Sequence, residues 1–223
     1  MSDFAGEMRA AALRWPMHEA RLVRLVESRR CPRSLLQKMA ARLFQLARRF
    51  TGDLAHLAEL APGADLKLFL VENLLEESGM RIIPGRGLHL DAGAVHLNWA
   101  RAFARACGLD DGALEERIAR APAIDYGWFD QALERRDWLG GTGYLLAQEF
   151  NTPRTLAPML RGLSGMGFRP EDLIFFSAHI VDDELHGGDG LALLARKASS
   201  ATTRAEALAG IEHGAYDWWQ AHN

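Results

Sequence analysis

A cysteine-poor chain that carries eight histidines and 29 acidic residues has imidazole and carboxylate as its main resources for chemistry near neutral pH. They are concentrated in the segment Phe175-Phe176-Ser177-Ala178-His179-Ile180-Val181-Asp182-Asp183-Glu184-Leu185-His186. On a helix, steps of four and three place His179, Asp183 and His186 within an arc of about 60°, a single stripe over two turns. Imidazole nitrogen and carboxylate oxygen suit iron, manganese or zinc, and a rigid helix sets their geometry before the ion arrives. Asp182 and Glu184 flank the stripe and point elsewhere. The plain alternative is a polar helix face, or one histidine salt-bridged to a nearby acid. Phe175, Phe176 and Ile180 beside the stripe argue against full exposure.

One stripe holds too few ligands for a redox metal, so partners are expected on other helices as polar residues in apolar rows. In Leu70-Val71-Glu72-Asn73-Leu74-Leu75-Glu76-Glu77, Glu77 continues the row of Leu70 and Leu74, whereas Glu76 follows Phe69, Glu72 and Asn73 on the more polar side. Glu77 is therefore the inward acid. His96 heads a row completed by Trp99, Ala100, Phe103 and Cys107, the face a core helix buries. Its rival, His89, precedes Asp91, a candidate N-cap, and reads as a loop residue. Glu149 follows Leu145 and Leu146 by four and three, and a carboxylate on that face needs a cation or a donor. Each of these has a structural explanation when taken alone: Glu77 near a helix end, His96 hydrogen-bonded in the core, Glu149 paired with an arginine. Together, three histidines and three carboxylates would furnish two adjacent metals and leave positions open for dioxygen, water or substrate.

The elements that must position these groups are helices. Apolar residues repeat at three and four almost throughout, which predicts helices at about 16–29, 33–50, 53–60, 65–78, 92–107, 111–119, 126–150, 153–165, 171–187 and 203–220. Pro32, Ala61-Pro62-Gly63, Gly79, Pro84-Gly85, Gly108, Pro122, Gly140-Gly141, Pro153, Gly165 to Gly167 and Gly187-Gly188 mark the expected breaks. The one strand candidate, Leu173 to Phe176, continues at helical spacing and reads as buried helix. The expectation is all-α: one helical domain over residues 1–223, with its chemistry between about 35 and 195.

Composition excludes several classes. With 26 basic residues against 29 acidic ones and a net charge of −3, the chain has no basic block for nucleic acid or an anionic membrane. No window approaches the roughly 18 apolar residues of a membrane span, and no leader pattern is evident, so a cytoplasmic protein is expected. Cys31 and Cys107 supply neither a disulfide framework nor a cysteine zinc site. His18, His56, His213 and His222 read as surface or structural residues.

The ordered set of residues resembles a known family. Asn73-Leu74-Leu75-Glu76-Glu77-Ser78-Gly79, then His96 with Phe103 and Gly108-Leu109 downstream, then Glu149 before a short proline-containing turn, then His179, Asp183 and His186, is similar to the haem-oxygenase-like di-metal oxidases. The resemblance implies a haem-oxygenase-like bundle of seven or eight main helices, related in fold to quinone-forming and thiaminase-like enzymes. It also implies two Fe(II) ions, with manganese as the alternative, held by Glu77, His96, Glu149, His179, Asp183 and His186. Dioxygen would be the co-substrate and a small organic molecule the substrate. Relatives oxidise amino acids, their derivatives or fatty acids by N-oxygenation, desaturation or carbon–carbon cleavage, and suggest a homodimer.

Two features depart from the family pattern. The segment from Glu77 to His96 is long and contains the basic, glycine-rich run Arg81 to Gly87. Gln148 and Met159 stand where the para-aminobenzoate-forming branch has a tyrosine and a lysine, which disfavours that branch. Arg154 and Arg161 are conceivable anchors for a substrate carboxylate. A metal-free oxidase or hydrolase of the same fold, and a non-catalytic metal-binding protein, are the rival readings. The hydrolases use a nucleophilic cysteine, and neither Cys31 nor Cys107 sits in a comparable place.

Overall fold

In a computed structural model, which describes residues 3–83, 85–121 and 126–223, two helices of 28 residues run through the molecule: α3 (Arg33–Leu60) and α8 (Trp138–Gly165). Around them lie α1 (Phe4–Ala12), α2 (Arg21–Glu27), α4 (Ala64–Glu77), α5 (His96–Ala106), α6 (Asp111–Arg120), α7 (Gly127–Glu134), α9 (Ile174–Lys197) and α10 (Ala201–His222). The class is all-α, with one addition. Ser78–Ile83 (β1) and Gly87–Val95 (β2) pair as an antiparallel hairpin between α4 and α5.

Long helices replace several expected breaks. Gly52 sits inside α3, where a glycine costs about 1 kcal/mol. The fully buried Leu54 and Leu57 that follow it outweigh that cost at about 1.5–3 kcal/mol each. Pro153 and Pro158 lie within α8, so the expected proline-containing turn after Glu149 is absent. Pro153 lacks the N–H that would bond the carbonyl of residue 149. Side chains support the neighbouring carbonyls: Thr152 donates to Gln148 at 3.0 Å, Thr155 to Asn151 at 2.9 Å and Arg154 to Phe150 at 2.6 Å. The break falls instead between α7 and α8, where Arg136 adopts φ 56°. Gly140 and Gly141, expected as a turn, open α8. Leu173 to Phe176 leads into α9 rather than forming a strand. The breaks expected at Pro84 and Pro122 lie outside the described residues.

The N-terminal helix α1 was not expected; it seats Phe4 and Met8 against α9 and α10, with Asp3 accepting from the Gly6 amide at 3.0 Å. The α8–α10 contact is close because α10 presents Gly210 and Gly214. Any Cβ there would strike the carbonyls of Gly140 and Tyr144. One apolar core joins α2, α3, α5, α8 and α9; a second joins α3, α4, α7 and α8. The polar cluster described next is built where α4, α5, α8 and α9 meet. Among the described residues no helix is long and apolar enough to cross a membrane.

Candidate metal centre

The buried stripe of α4 is Leu66, Leu70, Asn73 and Glu77, at steps of four, three and four. Glu77 is the last residue of the helix. Gly79 then turns the chain at φ 71°, and a Cβ there would lie 2.6 Å from the Asp91 carbonyl oxygen. The hairpin register pairs Ser78 with Val95, so the residues just outside that pair, Glu77 and His96, stand side by side at its base. The long basic segment is therefore a device that closes on itself. His89 pairs with Arg81 on the exposed strand, away from the cluster. Helix α5 begins at His96 with Val95 as its cap; Asp91, the candidate N-cap, instead accepts from the Gly93 amide at 2.9 Å.

Glu77 is the hub. Its Oε2 lies 2.9 Å from His96 Nδ1 and its Oε1 lies 3.6 Å from His179 Nε2. These three residues are buried, and each offers a ligand atom within 4.8 Å of the others. Burial alone would raise the Glu77 carboxyl, but the two imidazoles overcome it and hold it down at about 2. His179 Nδ1 lies 2.7 Å from the Phe175 carbonyl oxygen. A carbonyl only accepts, so Nδ1 carries the proton and Nε2 faces Glu77. Phe175 also stacks on the His179 ring at 4.1 Å, and Trp99 stacks on His96 at 4.3 Å, which fixes both ring planes.

Glu149 and Asp183 are buried next to this hub and repel one another. Burial raises both carboxyls; the Asp183 charge raises Glu149 further and that of Glu77 raises Asp183, while His179 draws Asp183 the other way. Asn73 donates to Glu149 Oε1 at 2.5 Å. Sequence reasoning placed Asn73 on the polar face; its spacing of four before Glu77 is the signal that puts it on the buried one.

His186 is placed differently. Its Nε2 lies 3.1 Å from Glu76 Oε2, and its ring meets Phe69 edge-on at 6.4 Å. The Glu76 carboxylate raises the imidazole to about 9, against the opposing effect of burial. Glu76, read from the sequence as belonging to the polar side, is thus part of the rim of the cluster.

The donor set fits a first-row metal. It is made of carboxylate oxygens and imidazole nitrogens, the ligands that suit iron or manganese, and with His179 Nδ1 committed to the Phe175 carbonyl, Nε2 is the nitrogen that would meet an ion once its proton is displaced. Among the described residues, two buried candidate ligand atoms also lack hydrogen-bond partners. His96 Nδ1 approaches Glu77 without the direction of a hydrogen bond, and Glu149 Oε2 has no donor. Orphaned buried polar atoms are costly, and a bound cation would satisfy each of them.

A cavity of about 300 Å³ opens onto this cluster. Glu77, Glu149, His179 and Asp183 line it, and the rest of the wall is largely apolar. Gln148 and Met159 also line it, whereas the candidate anchors Arg154 and Arg161 do not. Arg154 lies over the Phe150 ring, and Arg161 pairs with Glu27 at 2.6 Å on the surface. The cations at the cavity are Lys38 and Arg42 of α3, which sequence reasoning missed. His222, read as surface or structural, also lines it. Cys31 and Cys107 line a separate cleft with Arg33, Arg105 and Arg169.

The fold is haem-oxygenase-like, and it holds buried carboxylates and imidazoles beside a largely apolar cavity. A domain of unknown function with that fold from Shewanella denitrificans superposes with a TM-score of 0.64 at 13% identity, covering 97% of this chain and 86% of the other. A TenA homologue from Pseudomonas syringae pv. tomato superposes with a TM-score of 0.73 at 14% identity, covering 97% and 87%. No curated protein matches the chain in sequence. The profile of the iron-containing redox enzymes matches residues 37–219, a span that includes all six candidate ligands, and the chain belongs to that family.

Proposed function

We propose that the protein is a non-haem di-iron oxidase or oxygenase that uses dioxygen to oxidise a small organic molecule. The observation that carries this reading is the buried cluster of Glu77, His96, His179, Glu149 and Asp183, with unpartnered ligand atoms on His96 and Glu149, opening onto an apolar cavity. Glu77, His96 and His179 would hold one ion. Glu149, Asp183 and His186 would complete the second site, His186 exchanging Glu76 for the metal. A ferrous pair supplies the electrons that dioxygen chemistry requires. The chain's own contribution is to orient the ligands through Phe175, Trp99 and Asn73 and to keep water scarce beside the reacting groups.

The family's range of outcomes, N-oxygenation, desaturation or carbon–carbon cleavage of amino acids, their derivatives or fatty acids, bounds the reaction. A hydrolase built on a cysteine nucleophile has no support at this cavity. Both thiols lie in the other cleft, and burial pushes Cys107 up to about 12. Anaerobic loading with ferrous iron tests the proposal. Two irons per chain are expected, falling to one or none in His179→Ala and Glu149→Ala, with oxygen uptake lost in both. Fewer than one iron per chain, unchanged by either substitution, overturns it.

A further inference from the structure

Iron left in the ferric state must regain one electron per ion, so the proposed oxidase needs an electron donor. The near-neutral overall charge hides a local excess that suits one. Residues 21–33 carry Arg21, Arg24, Arg29, Arg30 and Arg33 against a single acid, Glu27. All five arginines are exposed and none forms an ion pair with a described residue, while Glu27 is taken by Arg161 at 2.6 Å. Arg33 lines the cleft that also holds Arg105 and Arg169, its guanidinium against Gly108, and Arg29 lies against Gly165, next to Met166 of the same cleft. Arg105 is paired with Asp111, and Arg169 with Asp172 and Glu171. The uncompensated charge is therefore that of the 21–33 segment, and it favours an anionic partner. Met166 and Phe168, both half-buried, stand on the cleft wall. Arginine, methionine and aromatic side chains are the residues enriched where proteins dock.

A run of packed rings leads inward from this cleft. Phe168 meets Phe103 at 5.7 Å, Phe103 meets Phe176 at 4.8 Å, Phe176 meets Phe175 at 6.1 Å, and Phe175 stacks on His179 at 4.1 Å. Phe103, Phe175 and Phe176 are buried, and each step is an ordinary aromatic contact. An electron tunnels through such a close-packed interior more readily than across a gap. We propose that the arginine segment and this cleft dock an acidic one-electron carrier protein, whose electrons reach the metal centre through Phe168, Phe103, Phe176 and Phe175 to His179. The inference rests on the di-iron reading. Two reduced carriers give one electron each to two ferric ions, leaving two oxidised carriers and two ferrous ions, and no bond in the chain forms or breaks. Electron-transfer encounters are small and weak, and charge rather than area steers them.

Calorimetric titration of the metal-free protein with a plant-type ferredoxin, an acidic one-electron carrier, tests the docking surface without iron; cytochrome c, a basic carrier, is the control. Ferredoxin is expected to bind about tenfold or more tighter than cytochrome c, and to weaken about tenfold or more as salt rises from a low level to about 0.15 M. Arg24→Glu combined with Arg33→Glu should weaken it about tenfold or more, with circular dichroism and iron stoichiometry unchanged. In the ferric-loaded protein, stopped-flow reduction by saturating ferredoxin should slow several-fold in Phe103→Leu, whose ring is buried beyond the carrier's reach, at unchanged affinity. Phe168→Leu serves the same purpose if the buried substitution unfolds the chain. Dithionite, which needs no docking, should reduce the charge-reversed protein as fast as wild type. Ferredoxin binding no tighter than that of cytochrome c, or indifferent to the two charge reversals, overturns the proposal. So does tighter binding of phosphatidylglycerol vesicles or of single-stranded DNA than of ferredoxin, which would assign the arginines to a membrane or a nucleic acid. An unchanged rate in the phenylalanine variants overturns the aromatic route. If ferredoxin docks as expected but iron does not load, the surface stands and the di-iron reading falls; if iron loads and ferredoxin does not dock, only the carrier assignment falls.

Discussion

Glu77→Gln is the sharpest test of how the cluster is held together. Glu77 is 6% exposed, so solvent screens its pairing little. The fall of its carboxyl from the ordinary 4.5 to about 2 corresponds to about 3 kcal/mol of preference for the ionised form in the folded metal-free protein. His179 moves the other way, from 6.5 to about 9: burial opposes the shift, but the Asp183 and Glu77 charges exceed it. The Glu77–His179 contact is one interaction seen from both partners, and its two halves are not added. Glu77, with a lowered value, contributes above pH 4.5 and loses that contribution as the pH falls toward 2. His179, with a raised value, contributes below pH 6.5 and loses it as the pH rises through about 9. The variant's deficit should therefore be greatest between about pH 5 and 6.5 and should close above about 9. Urea unfolding of chelator-treated wild type and Glu77→Gln across that range measures it. About 3 kcal/mol corresponds to a midpoint shift of about 1 M urea. Coincident midpoints from pH 5 to 10 would refute the hub role of Glu77.

Three further outcomes follow from the same geometry. Gly79→Ala places a Cβ 2.6 Å from the Asp91 carbonyl oxygen at φ 71°; it should cost about 1–3 kcal/mol and lower iron stoichiometry by separating Glu77 from His96, measured by urea unfolding and metal analysis. Iron must displace protons that His179 and His186 hold up to about 9, so ferrous affinity should rise from pH 6 to 9, roughly tenfold per unit for each proton displaced. Titrations that are flat with pH would contradict this. The free thiols of Cys31 and Cys107 are buried and their ionisation is suppressed by burial; a thiol reagent at pH 8 should label neither in the folded protein and both in urea.

Much of the cluster was legible because a helix repeats at 3.6 residues and a buried stripe shows as a row. His179 and Asp183 on α9, Glu149 on α8 and Glu77 on α4 stood out as polar residues in apolar rows, and all four line one cavity. Asn73 belongs to the same kind of row, which its spacing shows and its polarity masks. The hairpin escaped notice because β2 is exposed along most of its length, so it has no inward face and no strict apolar alternation to read. Prolines misled in α8, where surrounding burial and side-chain hydrogen bonds outweigh the local preference for a break.

The chain by itself determined the helical class and which side chains are set on buried faces, since both depend on near-neighbour periodicity. Only the tertiary structure decided which of them meet. The position of His96 beside Glu77, with His89 on the exposed strand, follows from a strand register, the partnership of His186 with Glu76 from the crossing of α9 and α4, and the presence of Lys38 and Arg42 on the cavity wall from the packing of α3. Each is a contact between residues distant in sequence, and no local pattern specifies the packing that brings them together.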